Sequence, residues 1–277
     1  MRGVKKIVLA VDSFKGSLTS LEVAEAVEKG IRDVLPEVEV CKLSVADGGE
    51  GTLAAVAACG CWERLGVRIT DSLGRPREGV FCIRDSEALI ETAQACGLTL
   101  LEENERNPEI TTSYGVGELL GYALGQGCRR IYIGLGGSAT NDGGMGMLRA
   151  LGVRFLTPAG VELPGRGMDL RKVSQIDLSG LDVRLREVEI IVMCDVDNPL
   201  TGEQGGSKVY GKQKGGTDEM LEELDKGMEN YADVIAATIG RDERNVPGAG
   251  AAGGLGFAIH TLLRGRIMPG IEEILEI

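Results

Sequence analysis

The sequence predicts an α/β protein, and three observations carry that expectation. Residues 5–45 read as strand, amphipathic helix and strand, the repeat of a parallel βαβ unit. The apolar runs Arg130–Ile133 and Glu187–Cys194 each end in a glycine-rich or polar loop, at the strand ends where open α/β sheets place their sites. Between these features, from about residue 60, the pattern changes to short alternating strands with turns, which opens a second, β-rich region.

The first strand, Lys5–Val11, stops at Asp12, and the loop DSFKGSL (Asp12–Leu18) leads into a helix whose Thr19 and Glu22 have capping-box spacing. Val23, Ala24, Val27, Ile31 and Val34 share one face, and Pro36 ends that helix. Val38–Val45 is the returning strand, so Asp12, Lys15 and Asp47 are expected on one rim. In the second rim loop, ADGGEGT (Ala46–Thr52), Asp47 and Glu50 suit either a helix cap or a site for Mg²⁺ or a substrate hydroxyl, because hard cations take carboxylate oxygens.

Leu65, Val67 and Ile69 alternate, and Val80–Ile83 and Ala88–Glu91 follow as strands. Thr111, Thr112 and Ser113 read as caps of an apolar helix over 117–124. The loop Gly134–Gly144 after the strand at 130–133 is rich in glycine and carries Ser138, Thr140, Asn141 and Asp142. Such a strand-to-helix loop offers backbone N–H groups and a helix dipole to an anion, and the expectation is a phosphate cradle. The alternative is a turn whose glycines serve only left-handed backbone angles.

Val153–Leu156 is a further strand, and Glu187–Cys194 delivers Asp195 at its end. The polar loop over 196–216 is too long for a mere connector and concentrates Lys208, Lys212 and Lys214. These lysines read as a local cationic patch for a phosphate or equally as a solvated loop. Leu221, Leu224, Met228, Tyr231 and Ile235 mark the buried face of a long helix over 218–239. A further glycine loop, Pro247–Gly256, opens an apolar helix with the lone His260, read as structural, and Pro269 starts a last helix. Two parallel strands make a sparse sheet, so strands completing the first sheet are expected after Ile277.

A formal charge of −12, from 30 Lys and Arg against 42 Asp and Glu, argues against nucleic acid or an anionic membrane as partner. Aromatics at 4% leave little to stack on bases. No apolar run approaches the length of a membrane span, and the seven cysteines form no CxxC pair, so a cytoplasmic protein with free thiols is expected. One histidine is too few for a zinc site or a histidine-based triad.

No Walker lysine motif occurs. Gly134, Gly136 and Ala139 fit a dinucleotide pattern, but the next strand ends in Thr157 with no acid to hold a ribose. Glycine loops, carboxylates and a few lysines remain, which suits phosphoryl transfer, a chemistry of positioning and charge neutralisation.

DSFKGSL, ADGGEGT, NPEITTSYGVGEL (Asn107–Leu119), IGLGGSATNDGGMGML (Ile133–Leu148), CDVDNPLTGEQG (Cys194–Gly205), YGKQKG (Tyr210–Gly215) and GAGAAGGLG (Gly248–Gly256) resemble the bacterial type I glycerate kinase family. The resemblance runs from the first strand to the last residue. It implies ATP- and Mg²⁺-dependent phosphorylation of D-glycerate to 2-phosphoglycerate, with 3-phosphoglycerate the less favoured product. It also implies a Rossmann-like, flavodoxin-like parallel-sheet domain (1–61 plus 255–277) with a mixed α/β domain (62–254) inserted, the site in the cleft between them, and room for a homodimer.

Family members continue past the position of Ile277, which leaves a truncated, non-catalytic glycerate- or nucleotide-binding protein as the alternative. Residue by residue, the resemblance gives Ser13 and Lys15 to glycerate or phosphate, and Asp47 and Glu50 to substrate hydroxyl or metal. Gly136, Gly137, Ser138, Thr140, Asn141 and Asp142 would cradle the nucleotide phosphates, with Lys214 neutralising charge. Asp195 would be the base, joined by Lys15 and Asp47 in catalysis, and Asp195 with Asn198 would hold Mg²⁺.

Overall fold

A computed structural model describes residues 4–11, 14, 17–44, 49, 51–58 and 60–276. In chain order, β1 (Lys6–Val11), α1 (Ser20–Val34) and β2 (Glu39–Ser44) form a βαβ unit, followed by α2 (Thr52–Ala58). β3 (Glu63–Thr70), β4 (Pro76–Arg84) and β5 (Glu87–Glu91) come next, then α3 (Ala93–Cys96), α4 (Tyr114–Gly125), β6 (Arg130–Gly134) and α5 (Met145–Ala150). β7 (Arg154–Leu156) and β8 (Gln175–Asp177) are a short antiparallel pair ahead of β9 (Glu189–Met193). The chain then runs through α6 (Gly206–Tyr210), α7 (Asp218–Ile239), α8 (Leu255–Leu263), β10 (Arg266–Met268) and α9 (Gly270–Glu276).

Local signals account for the helices that the sequence marked. Thr19 and Glu22 close the capping box of α1 in both directions. α7 spans the expected residues: Thr217 accepts a hydrogen bond from Met220 N at one end, and Gly240, at φ 77°, takes the left-handed stop at the other. Its Leu221, Leu224, Met228, Tyr231 and Ile235 are buried as the 3.6-residue period requires. The face of α1 is less covered, since Val27 and Val34 stay exposed.

Six strands form the main sheet, in the order β10-β9-β6-β5-β4-β3, parallel from β10 to β5 and antiparallel at β4 and β3. Its side chains alternate between faces, as the pleat demands. On one face Ile90, Ile131, Ile133 and Val192 meet Leu119, Leu120, Met145, Leu148, Tyr231 and Ile259 from the helices. On the other, Leu89, Tyr132, Ile191 and Met193 meet Leu53 and Val56 of α2 and Ile274 of α9. Both faces are therefore packed, the condition under which parallel strands are stable.

The α/β class stands, but two segments belong elsewhere than the sequence suggested. Of residues 255–277, expected to rejoin the first sheet, the described ones lie on the six-stranded one: β10 pairs with β9 from Arg266↔Ile191 to Met268↔Met193, and α8 is buried in its core. α2, expected at the end of the first domain, also packs on this sheet. The reason is physical. α8 is apolar almost all round, so its periodicity names no partner, and strand pairing is set by residues distant in sequence. Among the described residues β1 and β2 form a two-stranded sheet.

Candidate functional site at the carboxyl edge of the sheet

The parallel strands end in one row. Glu91 of β5 lies beside Gly134 of β6, Gly134 beside Met193 of β9, and Met193 beside Met268 of β10. The glycine loop, Asp195 and α9 therefore leave the sheet from adjacent positions on its carboxyl edge, where α/β sheets bind ligands. Two backbone bonds fix the exits: Leu135 N donates to Met193 O at 3.4 Å, and Cys194 N donates to Met268 O at 2.9 Å.

The glycine loop is more closed than its composition suggests. Gly136 is half-buried and Gly137 exposed, whereas residues 138–148 are buried. Asp142 lies fully inside: Oδ2 accepts from Ser113 N (2.7 Å), Ser113 Oγ (2.8 Å) and Gly146 N (3.1 Å), and Oδ1 accepts from Gly144 N (3.0 Å). Burial pushes its carboxyl pKa up, against these four donors, which favour the anion. Ser113, expected to cap α4, makes no such cap; its Oγ instead accepts from Met147 N at 3.0 Å, in the first turn of α5. The anion at the start of α5 is thus the protein's own Asp142. The amides of Gly146 and Met147 in the first turn of α5 are therefore engaged by Asp142 and Ser113.

Other glycines serve backbone approach. A Cβ on Gly136 would sit 2.5 Å from Cα of Gly49, in the second rim loop, so only glycine lets the two loops touch. A Cβ on Gly254 would sit 2.7 Å from Gly143 Cα, and Gly143 N donates to Gly253 O at 2.9 Å. The loop after β6 and the loop before α8 are interlocked through their glycines.

Lys214 reaches this loop from beneath. It is 2% exposed, and its Nζ donates to Thr140 O at 2.7 Å and Ser138 Oγ at 3.2 Å, with no carboxylate in ion-pair range among the described residues. Burial holds its pKa down to about 8, although Cys96 and Asp142 nearby pull it upward. The Cys96 thiol is pushed up to about 12, chiefly by burial. Of the expected cationic patch, Lys208 is paired with Glu203 and Glu222, and Lys212 with Asp218. Only Lys214 of the three turns toward the glycine loop. Asn141 Nδ2 donates to Ser207 Oγ at 3.0 Å, while its buried Oδ1 has no partner.

Asp195 is exposed at the end of β9, and its Oδ1 accepts from Gly270 N at 2.8 Å, at the start of α9. Asn198 is engaged at both ends of its amide, accepting from Tyr210 OH at 2.7 Å and donating to Gln204 O at 2.8 Å. Its oxygen holds the loop through one of its two lone pairs. No group of three or more His, Cys, Asp or Glu side chains converges among the described residues. Ser13, Lys15, Asp47 and Glu50 lie outside the described residues.

The sequence reasoning passed over Glu91. It is 2% exposed on the carboxyl edge, and its Oε1 accepts from Leu53 N at 2.6 Å, tying the first turn of α2 to the sheet. An acidic residue closing an apolar strand was the available signal.

These features define an α/β enzyme with a candidate site where loops converge on the carboxyl edge of a parallel sheet. The chain belongs to the glycerate kinase family, whose model matches residues 7–277, and is a kinase of that family. It is 47% identical over 273 residues to a glycerate kinase of Bacillus subtilis strain 168, covering 98% of this chain and 72% of that protein. It is 45% identical to a glycerate 2-kinase of Escherichia coli K12, over 97% of this chain and 71% of the relative. The crystal structure of a Salmonella typhimurium LT2 protein described as a glycerate kinase 2 superposes with a TM-score of 0.86 at 43% identity, covering 99% of this chain and 74% of that one. The chain thus spans nearly three quarters of each. No helix among the described residues is long and apolar enough to cross a membrane.

Proposed function

We propose that this kinase transfers the γ-phosphoryl group of ATP to D-glycerate, at the 2-hydroxyl. The observation that carries the reading is the aligned carboxyl edge, which brings the Gly136–Gly137 tip and the exposed Asp195 out of one row of strands, with Lys214 hydrogen-bonded to the same glycine loop. The relatives named glycerate kinase and glycerate 2-kinase supply the substrate and the favoured position.

In this reading the nucleotide phosphates lie against Gly136 and Gly137, with Lys214 below the loop supplying positive charge. Ser138, Thr140, Asn141 and Asp142 hold the loop in shape. Asp195 accepts the hydroxyl proton, and Ser13, Lys15, Asp47 and Glu50 bind glycerate. Mg²⁺ needs only one or two carboxylates when phosphates complete its shell. Asp195 and Asp197, exposed on the same loop, fit that demand, and the Asn198 oxygen keeps one lone pair beside its bond from Tyr210 OH for the same ion. When bound, the ion neutralises phosphate charge.

The test is ADP release in the presence of D-glycerate, ATP and Mg²⁺, with the product resolved as 2- or 3-phosphoglycerate. The expected result is glycerate-dependent ADP and 2-phosphoglycerate. Binding of ATP or glycerate without turnover would mark a non-catalytic binding protein instead.

A further inference from the structure

The pleat of β5 sets Glu91 on the same face as Leu89, which packs against Leu53 and Val56 of α2. An apolar side chain would serve stability as well at such a position, and a carboxylate that is 2% exposed there carries a desolvation cost. What the carboxylate adds is direction: Oε1 accepts from Leu53 N at 2.6 Å. Cys82 Sγ of β4 donates to Leu53 O at 3.9 Å, so the sheet engages Leu53 at both of its backbone polar groups.

The bond lands at the end of the second rim loop. Leu53 follows Thr52, whose Oγ1 donates to Gly49 O at 2.8 Å, and Ala55 N donates to Gly51 O at 3.0 Å. The described part of the loop is thus one turn folded onto the start of α2. Its other side is set by Gly136, where a Cβ would overlap the α-carbon of Gly49. Glu91 pairs with Gly134 across β5 and β6, so the anchor at Leu53 and the anchor at Gly49 leave the sheet from adjacent strands. The spacing between the rim loop and the glycine loop is therefore held at two points, and the segment so held carries Asp47 and Glu50 in its sequence.

We propose that Glu91 is a positioning residue for glycerate: by fixing Leu53 it fixes the rim loop that binds the acceptor, relative to the glycine loop that meets the nucleotide. The inference rests on the glycerate-binding role proposed above for Asp47 and Glu50, and deepens it. A misplacement of about 1 Å between reacting groups lowers rates by about 100-fold, so a bond that sets a loop position acts on turnover without touching substrate.

The experiment compares wild type with Glu91→Leu, Glu91→Gln and Glu91→Asp by steady-state turnover of D-glycerate, by calorimetric titration with ATP–Mg²⁺ and by melting temperature. Glu91→Leu fills the space without an acceptor and is expected to lower kcat/KM for D-glycerate by about 10- to 100-fold, with ATP affinity within about threefold of wild type. Glu91→Gln keeps an acceptor oxygen for Leu53 N and should restore kcat/KM to within about fivefold of wild type. A Glu91→Leu enzyme within about fivefold of wild type, measured below both melting temperatures, would overturn the proposal and leave Glu91 a support of the fold alone. Glu91→Gln as impaired as Glu91→Leu would overturn it too, because the charge and not the bond to Leu53 would then matter. An equal loss of ATP affinity would mark a general loosening of the edge and likewise overturn it. Should Glu91→Leu not fold, Glu91→Asp decides, since its carboxylate is one methylene shorter and withdraws from Leu53 N: a kcat/KM at least about fivefold lower supports the proposal, and a wild-type value overturns it. An active wild type with an indifferent Glu91→Leu sinks only this inference, whereas a wild type without turnover sinks the kinase reading and this inference with it.

Discussion

Buried charge is the most informative feature at the scale of single residues. Asp142 and Lys214 are both enclosed near the glycine loop, yet they are treated differently: the carboxylate receives four donors, the ammonium two acceptors and no counter-ion. The first is what a structural staple needs, and the second is the charge that the proposed function gives to the nucleotide phosphates. The lowered pKa of Lys214 makes this measurable. Because the unfolded lysine holds its proton up to about 10.5 and the folded one loses it near 8, the unfolded state binds more protons in between. Its burial penalty is thus full below pH 8 and is relieved as pH rises through that window. Urea unfolding of wild type and Lys214→Met at pH 7.5 and 9.5 should show the wild type gaining on the variant by on the order of 2 kcal/mol at the higher pH. An unchanged difference would mean that Lys214 is not desolvated. Sequence reads residues 138–142 as a cradle for nucleotide phosphates, and nothing local announces that Ser113, 29 residues earlier, supplies two of the donors to Asp142.

At the scale of elements, the glycine loops are joints between segments far apart in sequence. Gly136 meets Gly49, and Gly143 and Gly144 meet the loop before α8, so the glycines are required as much by neighbouring backbone as by a ligand. Gly136→Ala is the selective probe, since its backbone carries no positive φ and the cost is the contact with Gly49 alone. The added methyl should push the rim loops apart and lower kcat/KM by about 100-fold, the scale of an ångström-level misplacement, while melting temperature changes little. Equal kcat/KM would show that the two loops need not touch. Elements with local signals were readable: the capping box of α1 and the cap, stripe and stop of α7 all lie within the segment they define. The destination of β10 was not, because three residues beside an all-round apolar helix carry no address.

Across the whole molecule, α2 and α9 cover the second face of the six-stranded sheet and so bring the segments before and after the chain's long middle onto one layer. Glu91 secures α2 from the sheet, and Asp195 secures α9, so both carboxylates of this edge are structural, while only Asp195 of the two is exposed. The fold class followed from alternating strands and helices, and the family from motifs spread along nearly all of the chain. What sequence could not convey is that the loops are packed so tightly that only Gly136, Gly137, Asp195 and Asn198 reach solvent among the described candidates. The account stands on Asp195 acting at that edge, and Asp195→Asn tests it cleanly because the asparagine Oδ1 can still accept from Gly270 N and keep α9 seated. Turnover of D-glycerate with ATP should fall by about 10²- to 10⁴-fold, with ATP affinity and melting temperature close to wild type. Turnover within a few-fold of wild type would contradict the assignment.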